Sequence, residues 1–318
     1  MSKLSQPGAL DVVTVGEAMA MFVACETGPL EEVSQFTRQV AGAELNVAIG
    51  LSRLGLKVGW ASRVGDDVFG RFVLKQLEKE QIDAGQVTVD NRFPTGFQLK
   101  SKELGGKDPR VEYFRKGSAA SHLSVADFNP DYFGAARHLH LSGVAAALSD
   151  TSLALSKFAA SEMRKAGKTI SFDPNLRPVL WSSEQQMRKE INALAFAADW
   201  VLPGLGEGQL LTGQQTPEGI ADFYLEQGVK AVVIKTGPDG AWFKSASGEQ
   251  AQVAACKVEN VVDTVGAGDG FAVGLISALL EGLSLEQAVQ RGNKIGSLAV
   301  QAVGDSEGLP TREQLEQA

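Results

Sequence analysis

The segment Asp263-Thr264-Val265-Gly266-Ala267-Gly268-Asp269-Gly270-Phe271 runs into the apolar stretch Ala272 to Leu280 and sets a carboxylate on a glycine loop that opens a helix. Small residues at Gly266, Ala267 and Gly268 let main-chain N–H groups approach an anion, and the start of a helix adds unpaired donors with partial positive charge. Such a place suits phosphate. Asp269 does not help to bind it, because an acceptor-only carboxylate repels an anion. Its position suits a second task, accepting a proton from an attacking hydroxyl. The same residues also read as an ordinary loop into a buried helix, with Asp269 as a first-turn acid favoured by the helix dipole. Neither standard nucleotide motif fits. Phe271 stands where G-x-G-x-x-G needs its last glycine, and the loop lacks the G-x-x-x-x-G-K-[ST] of a P-loop.

Positioning such a loop requires a scaffold, and the apolar pattern supplies one. Short runs at Val58 to Ala61, Leu139 to Leu141, Thr169 to Phe172, Trp200 to Leu202 and Ala231 to Ile234 read as strands. Helical spacing separates them: Phe69, Phe72, Val73 and Leu77; Leu153, Leu155, Phe158 and Met163; Ile191, Leu194 and Ala198. The alternation predicts βαβ units, a mostly parallel sheet covered on both faces, and ligands gathered beyond the strand carboxyl ends. Two segments break the rhythm, Met19 to Val40 and Phe93 to Arg115, and read as antiparallel strands of a small lid around Gly105-Gly106. In the second, Val111, Tyr113 and Arg115 fall on one face. Tyr113 and Arg115 then point together, although packing and a surface ion pair account for them equally well.

The 318 residues are enough for one large α/β domain, here 1–318 with the lid at about 17–40 and 92–116. Thirty lysines and arginines against 38 acids leave a net charge of −8, which disfavours a nucleic-acid surface. Cys25 and Cys256 lack metal or redox spacing and are expected to pack as small hydrophobes in a reducing compartment. His122, His138 and His140 show no metal-ligand pattern and read as structural. The N-terminal stretch Met1 to Leu10 has no signal-peptide core and no long apolar run follows, so a cytoplasmic protein without a membrane span is expected.

Two signatures in order give the chain a resemblance. Ala41-Gly42-Ala43-Glu44-Leu45-Asn46-Val47-Ala48, followed by Gly55 and Gly65, and Asp263 to Asp269 resemble the N- and C-terminal signatures of the ribokinase-like (pfkB) carbohydrate kinases. The resemblance covers essentially the whole chain. It implies a ribokinase-like three-layer α/β/α sandwich with a β-sheet lid, ATP as donor, Mg2+ as counterion and in-line transfer to a primary hydroxyl. By the same resemblance Asp269 takes the catalytic-base position, and Gly266, Ala267 and Gly268 form the anion hole. Asn175 and Lys235-Thr236-Gly237-Pro238-Asp239-Gly240 are similar to residues beside the nucleotide, and Asn293 to one bordering the adenine. Lys235 to Gly240 also reads as a plain turn between strands. Glu207 matches the acid of an Asn-x-x-Glu motif that contacts magnesium through water, but Gly204 replaces the asparagine. An isolated Glu207 reads as a helix N-terminal acid.

Within the family, Gly42 to Asn46, Tyr113-Phe114-Arg115-Lys116-Gly117-Ser118-Ala119-Ala120-Ser121 and Phe172-Asp173-Pro174-Asn175-Leu176-Arg177-Pro178 are most similar to the subfamily acting on 2-dehydro-3-deoxygluconate. Fructokinases share parts of this pattern, so a neutral-sugar kinase stays open. A dinucleotide-binding oxidoreductase and a non-catalytic sensor are the readings outside the class, and Val13 to Gly16 lacks the glycine fingerprint that the first needs. A sugar acid calls for an arginine fork, and Arg115 and Arg177 are the candidates, with Tyr113 and the residues Gly42, Ala43, Glu44, Leu45 and Asn46 around the hydroxyls. Exposed edges of the lid strands suggest a homo-oligomer.

Overall fold

The structure is a computed structural model describing residues 9–103, 108–258 and 260–317. The Gly105-Gly106 turn and the N-terminal stretch up to Gly8 lie outside the described residues. Thirteen strands are present among them: β1 Leu10–Val15, β2 Met19–Ala24, β3 Phe36–Ala41, β4 Val58–Gly65, β5 Asp83–Asp90, β6 Phe97–Lys100, β7 Val111–Phe114, β8 Ala136–Ser142, β9 Thr169–Asp173, β10 Trp200–Val201, β11 Ala231–Lys235, β12 Ala241–Ser245 and β13 Gln250–Val253. The α-helices are α1 Ala43–Arg53, α2 Val68–Lys79, α3 Pro130–Gly134, α4 Gly143–Ala146, α5 Asp150–Lys165, α6 Glu184–Ala197, α7 Leu205–Thr212, α8 Pro217–Leu225, α9 Ala267–Leu280, α10 Leu285–Ala299 and α11 Arg312–Gln317.

Alternation along the strands dictates the layers. In β1, Val12 faces one apolar cluster with Leu45, Trp60, Val73 and Val273, while its neighbour Val13 faces another with Leu139, Phe133 and Ile170. In β11, Val233 joins the first cluster, and Val232 and Ile234 the second. A sheet apolar on both faces must be covered on both, and helices do so: α1, α2, α9 and α10 on one side, α3, α5, α6 and α8 on the other. The sheet order is β13-β12-β11-β10-β9-β8-β1-β4-β5. All neighbours pair in parallel except the β11-β12-β13 meander at one edge.

A second sheet, β3-β2-β6-β7, stands at the carboxyl end of β1. The lid segments were expected to pair antiparallel throughout. They do at β2-β3 and β6-β7, but β2 pairs with β6 in parallel because the long excursion through α1, β4, α2 and β5 separates them. Phe22, Phe69, Phe97 and Phe114 pack edge-to-face or stacked on the outer side of this sheet.

His138 and His140 are buried and bridged by the Ser171 hydroxyl at 2.8 Å, and burial pushes His140 down to about 3, so both are neutral core side chains. His122 stacks on Phe93 with ring centroids 3.5 Å apart. The cysteines correct the expectation: Cys25, just past β2, and Cys256, after β13, are both exposed, because neither falls on an inward-facing position of an element. No helix of the described residues is long and apolar enough to cross a membrane.

Candidate active site

Beyond the carboxyl ends of β1, β9 and β11 lie two adjoining cavities. The first, about 550 Å3, lies between the small sheet and the main body and includes Glu17, Gly42, Ala43, Asn46, Gln98, Val111, Tyr113, Arg115, Asp173, Asn175, Arg177, Glu207, Asp269 and Asp305 in its walls. The second, about 670 Å3, runs between the β11-β12 turn and the helices α9 and α10. Lys235, Thr264 and Gly268 belong to both.

Helix α9 begins at this shared wall. Gly266 caps it at φ +86°, a left-handed conformation, and a Cβ there would lie 2.2 Å from the Asp305 carbonyl oxygen. Only glycine fits. The first-turn N–H groups of Ala267, Gly268 and Asp269 have no intrahelical acceptors, so they are donors held in place for an anion. Lys235 adds a full charge: its ammonium lies 3.4 Å from where a Gly268 Cβ would be, and it pairs with Asp173 at 2.6 Å. Burial works against that charge, but Asp173, Glu207 and Asp269 more than offset it and hold the pKa above the usual lysine value.

Asp269 projects into the first cavity. Its Oδ2 accepts from the Asn46 amide at 2.8 Å, and the Asn175 amide approaches Oδ1 at 3.5 Å. Burial, reinforced by the charges of Asp173 and Asp305 and opposed by the Asn46 hydrogen bond, pushes its pKa up to about 7. A carboxylate so poised takes a proton near neutrality. The amide of Asn46 is thereby oriented, and its buried Oδ1 has no hydrogen-bond partner among the described residues. An unpaired acceptor in the cavity wall suits a ligand hydroxyl.

The residues expected from the sequence divide. Gly42, at φ +147° and 2.3 Å from the Glu17 carbonyl if it bore a Cβ, starts α1 and faces the first cavity with Ala43 and Asn46. Glu44 and Leu45 do not face it. The helical turn rotates them into the core, where Glu44 Oε1 accepts from the Ala145 N–H at 3.1 Å and burial pushes its pKa up to about 7. Val111 and Tyr113 share the inward face of β7. Arg115 lies beyond the strand end and lines the same cavity, but its fork is engaged: Nε and a terminal nitrogen bond buried Glu17 at 2.7 and 2.5 Å. Arg177 donates one terminal nitrogen to the Leu176 carbonyl at 2.9 Å, which leaves the rest of its fork for the cavity.

Asn175, expected beside the nucleotide, stands in the first cavity with Asp269, because its left-handed φ of +36° turns the chain after β9 inward. Gly237, Pro238 and Gly240 line the second cavity with Asn293, while Thr236 and Asp239 turn away toward Gln252. Asn293 donates to the Val253 and Ala254 carbonyls at 3.0 and 3.1 Å and so ties α10 to the end of β13. Glu207 faces the first cavity and also acts as the helix N-terminal acid: its two oxygens accept from the N–H groups of Gly204 and Leu176, both at 2.7 Å.

Glu17, Gln98, Asp173 and Asp305 were not singled out from the sequence. Asp173 carried a signal, an acid at the carboxyl end of a parallel strand; the others carried none. Among the described residues no group of three or more His, Cys, Asp or Glu side chains forms a cation cage. Asp173 and Glu207 therefore fit a magnesium ion that keeps water and phosphate oxygens as its main ligands. The second cavity, with Pro238, Val258, Val261, Phe271 and Val300 in its walls, fits a flat apolar base whose phosphates extend toward Lys235 and Gly268.

Residues 9–312 match the pfkB family carbohydrate kinase profile. The chain belongs to the pfkB family of carbohydrate kinases. It is 55% identical over 307 residues to the 2-dehydro-3-deoxygluconokinase of Bacillus subtilis (strain 168), covering 96% of this chain and 94% of that one. Among solved structures, a PfkB protein from Polaromonas sp. JS666 superposes with a TM-score of 0.90 at 53% identity, over 98% of this chain and 100% of that one. A protein designated Ribokinase II from E. coli, solved in complex with ATP and Mg2+, superposes with a TM-score of 0.89 at 29% identity, over 97% and 98% of the two chains. The ribokinase-like α/β fold expected from the signatures is the fold observed.

Proposed function

We propose that this pfkB kinase transfers the γ-phosphoryl group of ATP to the terminal primary hydroxyl of 2-dehydro-3-deoxy-D-gluconate, giving the 6-phosphate and ADP. The observation that carries the reading is Asp269, a buried carboxylate with a pKa near 7 on the sugar side of the helix start that forms the wall shared by the two cavities. The 55% identity to a kinase of that name supports the substrate.

The sugar acid lies in the first cavity, with its hydroxyls against Asn46 and Asn175 and its carboxylate toward the Arg177 fork. ATP lies in the second, between the β11-β12 turn and Asn293. Asp269 orients the terminal hydroxyl and takes its proton as the new O–P bond forms and the bond to the β-phosphate oxygen breaks. The first-turn N–H groups of α9 and the Lys235 ammonium stabilise the charge on the group in transit. Mg2+, held through water by Glu207 and Asp173, supplies charge neutralisation on the phosphates when bound. The small sheet excludes water from the site as a lid.

A cytoplasmic location and pairing of subunits through the lid edges β3 and β7 belong to the same reading; light scattering showing a monomer at working concentration would remove the second. The substrate is tested by measuring ADP release with 2-dehydro-3-deoxygluconate, fructose and ribose in parallel. The sugar acid is expected to have the highest kcat/KM. A higher value for fructose would make the chain a neutral-sugar kinase, the alternative that the shared motifs support.

A further inference from the structure

Strand β6 presents Gln98 and Lys100 to the interior, two residues apart and therefore on one face. Gln98 lines the sugar cavity. Lys100 is 1% exposed, and its ammonium sits between two buried carboxylates, 2.6 Å from Asp263 Oδ2 and 2.9 Å from Asp305 Oδ1. The pair is not incidental to the anion hole. Asp263 opens the loop and holds it from within, its Oδ1 accepting the Val265 N–H at 3.1 Å and its Oδ2 the Gly304 N–H at 3.2 Å. The Asp305 carbonyl is the group that packs against Gly266 at the start of α9. Thr264, between Asp263 and the hole, donates to Asp108 ahead of β7 at 2.5 Å, a second tie to the same small sheet.

Two buried carboxylates side by side repel and are stable together only with a cation between them. We propose that Lys100 is a positioning residue for phosphoryl transfer: its ammonium draws Asp263 and Asp305 together and thereby holds Gly266, Ala267 and Gly268 where their N–H groups meet the transferred phosphate. The strand that walls the sugar cavity thus also sets the phosphate site. Burial disfavours the ammonium, but the two carboxylates outweigh it and keep its pKa above the usual lysine value. The inference rests on the phosphotransfer reading, so the wild-type enzyme is assayed alongside; a wild type that phosphorylates no sugar overturns both, and an active wild type isolates the role of Lys100.

The test compares Lys100→Ala and Lys100→Arg in the full chain, with circular dichroism to confirm folding. Lys100→Ala is expected to lose about 100-fold in kcat, as for a displaced catalytic group, with KM for ATP little changed. Lys100→Arg keeps the charge and is expected to retain more activity. Ammonium or methylammonium should restore part of the lost kcat to Lys100→Ala by entering the vacated place, and tetramethylammonium, too large for it, should not. Wild-type kcat in Lys100→Ala, or a loss that neither arginine nor a small cation relieves, overturns the proposal. If Lys100→Ala does not fold, Lys100→Met/Asp305→Asn, which leaves one buried carboxylate, decides: loss of kcat with KM for ATP retained supports the role, and near-wild-type kcat overturns it.

Discussion

The first cavity is walled by ionisable side chains, among them Glu17, Asp173, Arg177, Glu207 and Asp269, whereas the second, beyond Lys235 and Gly268, is walled largely by Pro238, Val258, Val261, Phe271 and Val300. On the sugar side buried charges face one another, and their protonation is displaced from ordinary values. On the nucleotide side shape and main-chain groups do the recognition. Single substitutions should therefore act differently on the two sides: strongly and with pH dependence where charges are buried, weakly and without it where a base is enclosed.

Asp269→Asn is the substitution expected to act most strongly. It removes the proton acceptor but keeps shape and the Asn46 contact, so kcat should fall about 10²- to 10⁴-fold, with ATP affinity measured by calorimetry retained. It should also stabilise the fold. The folded-state pKa is raised above 3.8, so the wild-type carboxyl contributes a penalty that is absent below pH 4, grows as pH rises toward 7 and persists above it. Thermal melts should show the variant gaining over wild type at pH 8 and little at pH 4.

Titration of the same group sharpens the contrast. The free enzyme's kcat/KM should rise with pH along a limb with an apparent pKa of about 7, because only the ionised form accepts the proton. Binding of ATP in the second cavity should show no such limb. A smaller effect is expected for Arg177→Ala, roughly 1.5–3 kcal/mol for a charge-assisted contact, or about 10- to 100-fold in KM. It should fall on the sugar acid and spare a neutral sugar; equal losses on both would remove the carboxylate role. Asn293→Ala should be mildest, about five-fold in KM for ATP through the lost tie between α10 and the end of β13, with KM for the sugar unmoved.

What could be read from the sequence follows the range of the interactions. The strand runs Leu139 to Leu141 and Thr169 to Phe172 and the loop Asp263 to Asp269 are local patterns, and the structure places strands β8 and β9 and the start of α9 there. Edge strands β12 and β13 and the two-residue β10 were less legible, since short or half-exposed strands leave little periodicity. Within the site, Gly42, Ala43 and Asn46 face the cavity, but the motif that contains them cannot show that one helical turn carries Glu44 and Leu45 into the core. Contacts distant in sequence were invisible: Lys100 meets Asp305 across 205 positions, and Arg115 meets Glu17 across 98. The second of these pairings moves the carboxylate-binding role from Arg115 to Arg177.

The central claim is that the Asp269 carboxylate faces an alcohol on one side of the α9 start while main-chain donors hold the phosphate on the other. A crystal structure of the enzyme with 2-dehydro-3-deoxygluconate, Mg2+ and a non-hydrolysable ATP analogue tests it directly. The account predicts the terminal sugar hydroxyl about 3 Å from an Asp269 oxygen, in line with the γ-phosphorus, and the Gly266 to Gly268 N–H groups turned to the γ-phosphate. A sugar whose terminal hydroxyl points away from Asp269, or a γ-phosphate remote from the α9 start, would contradict it.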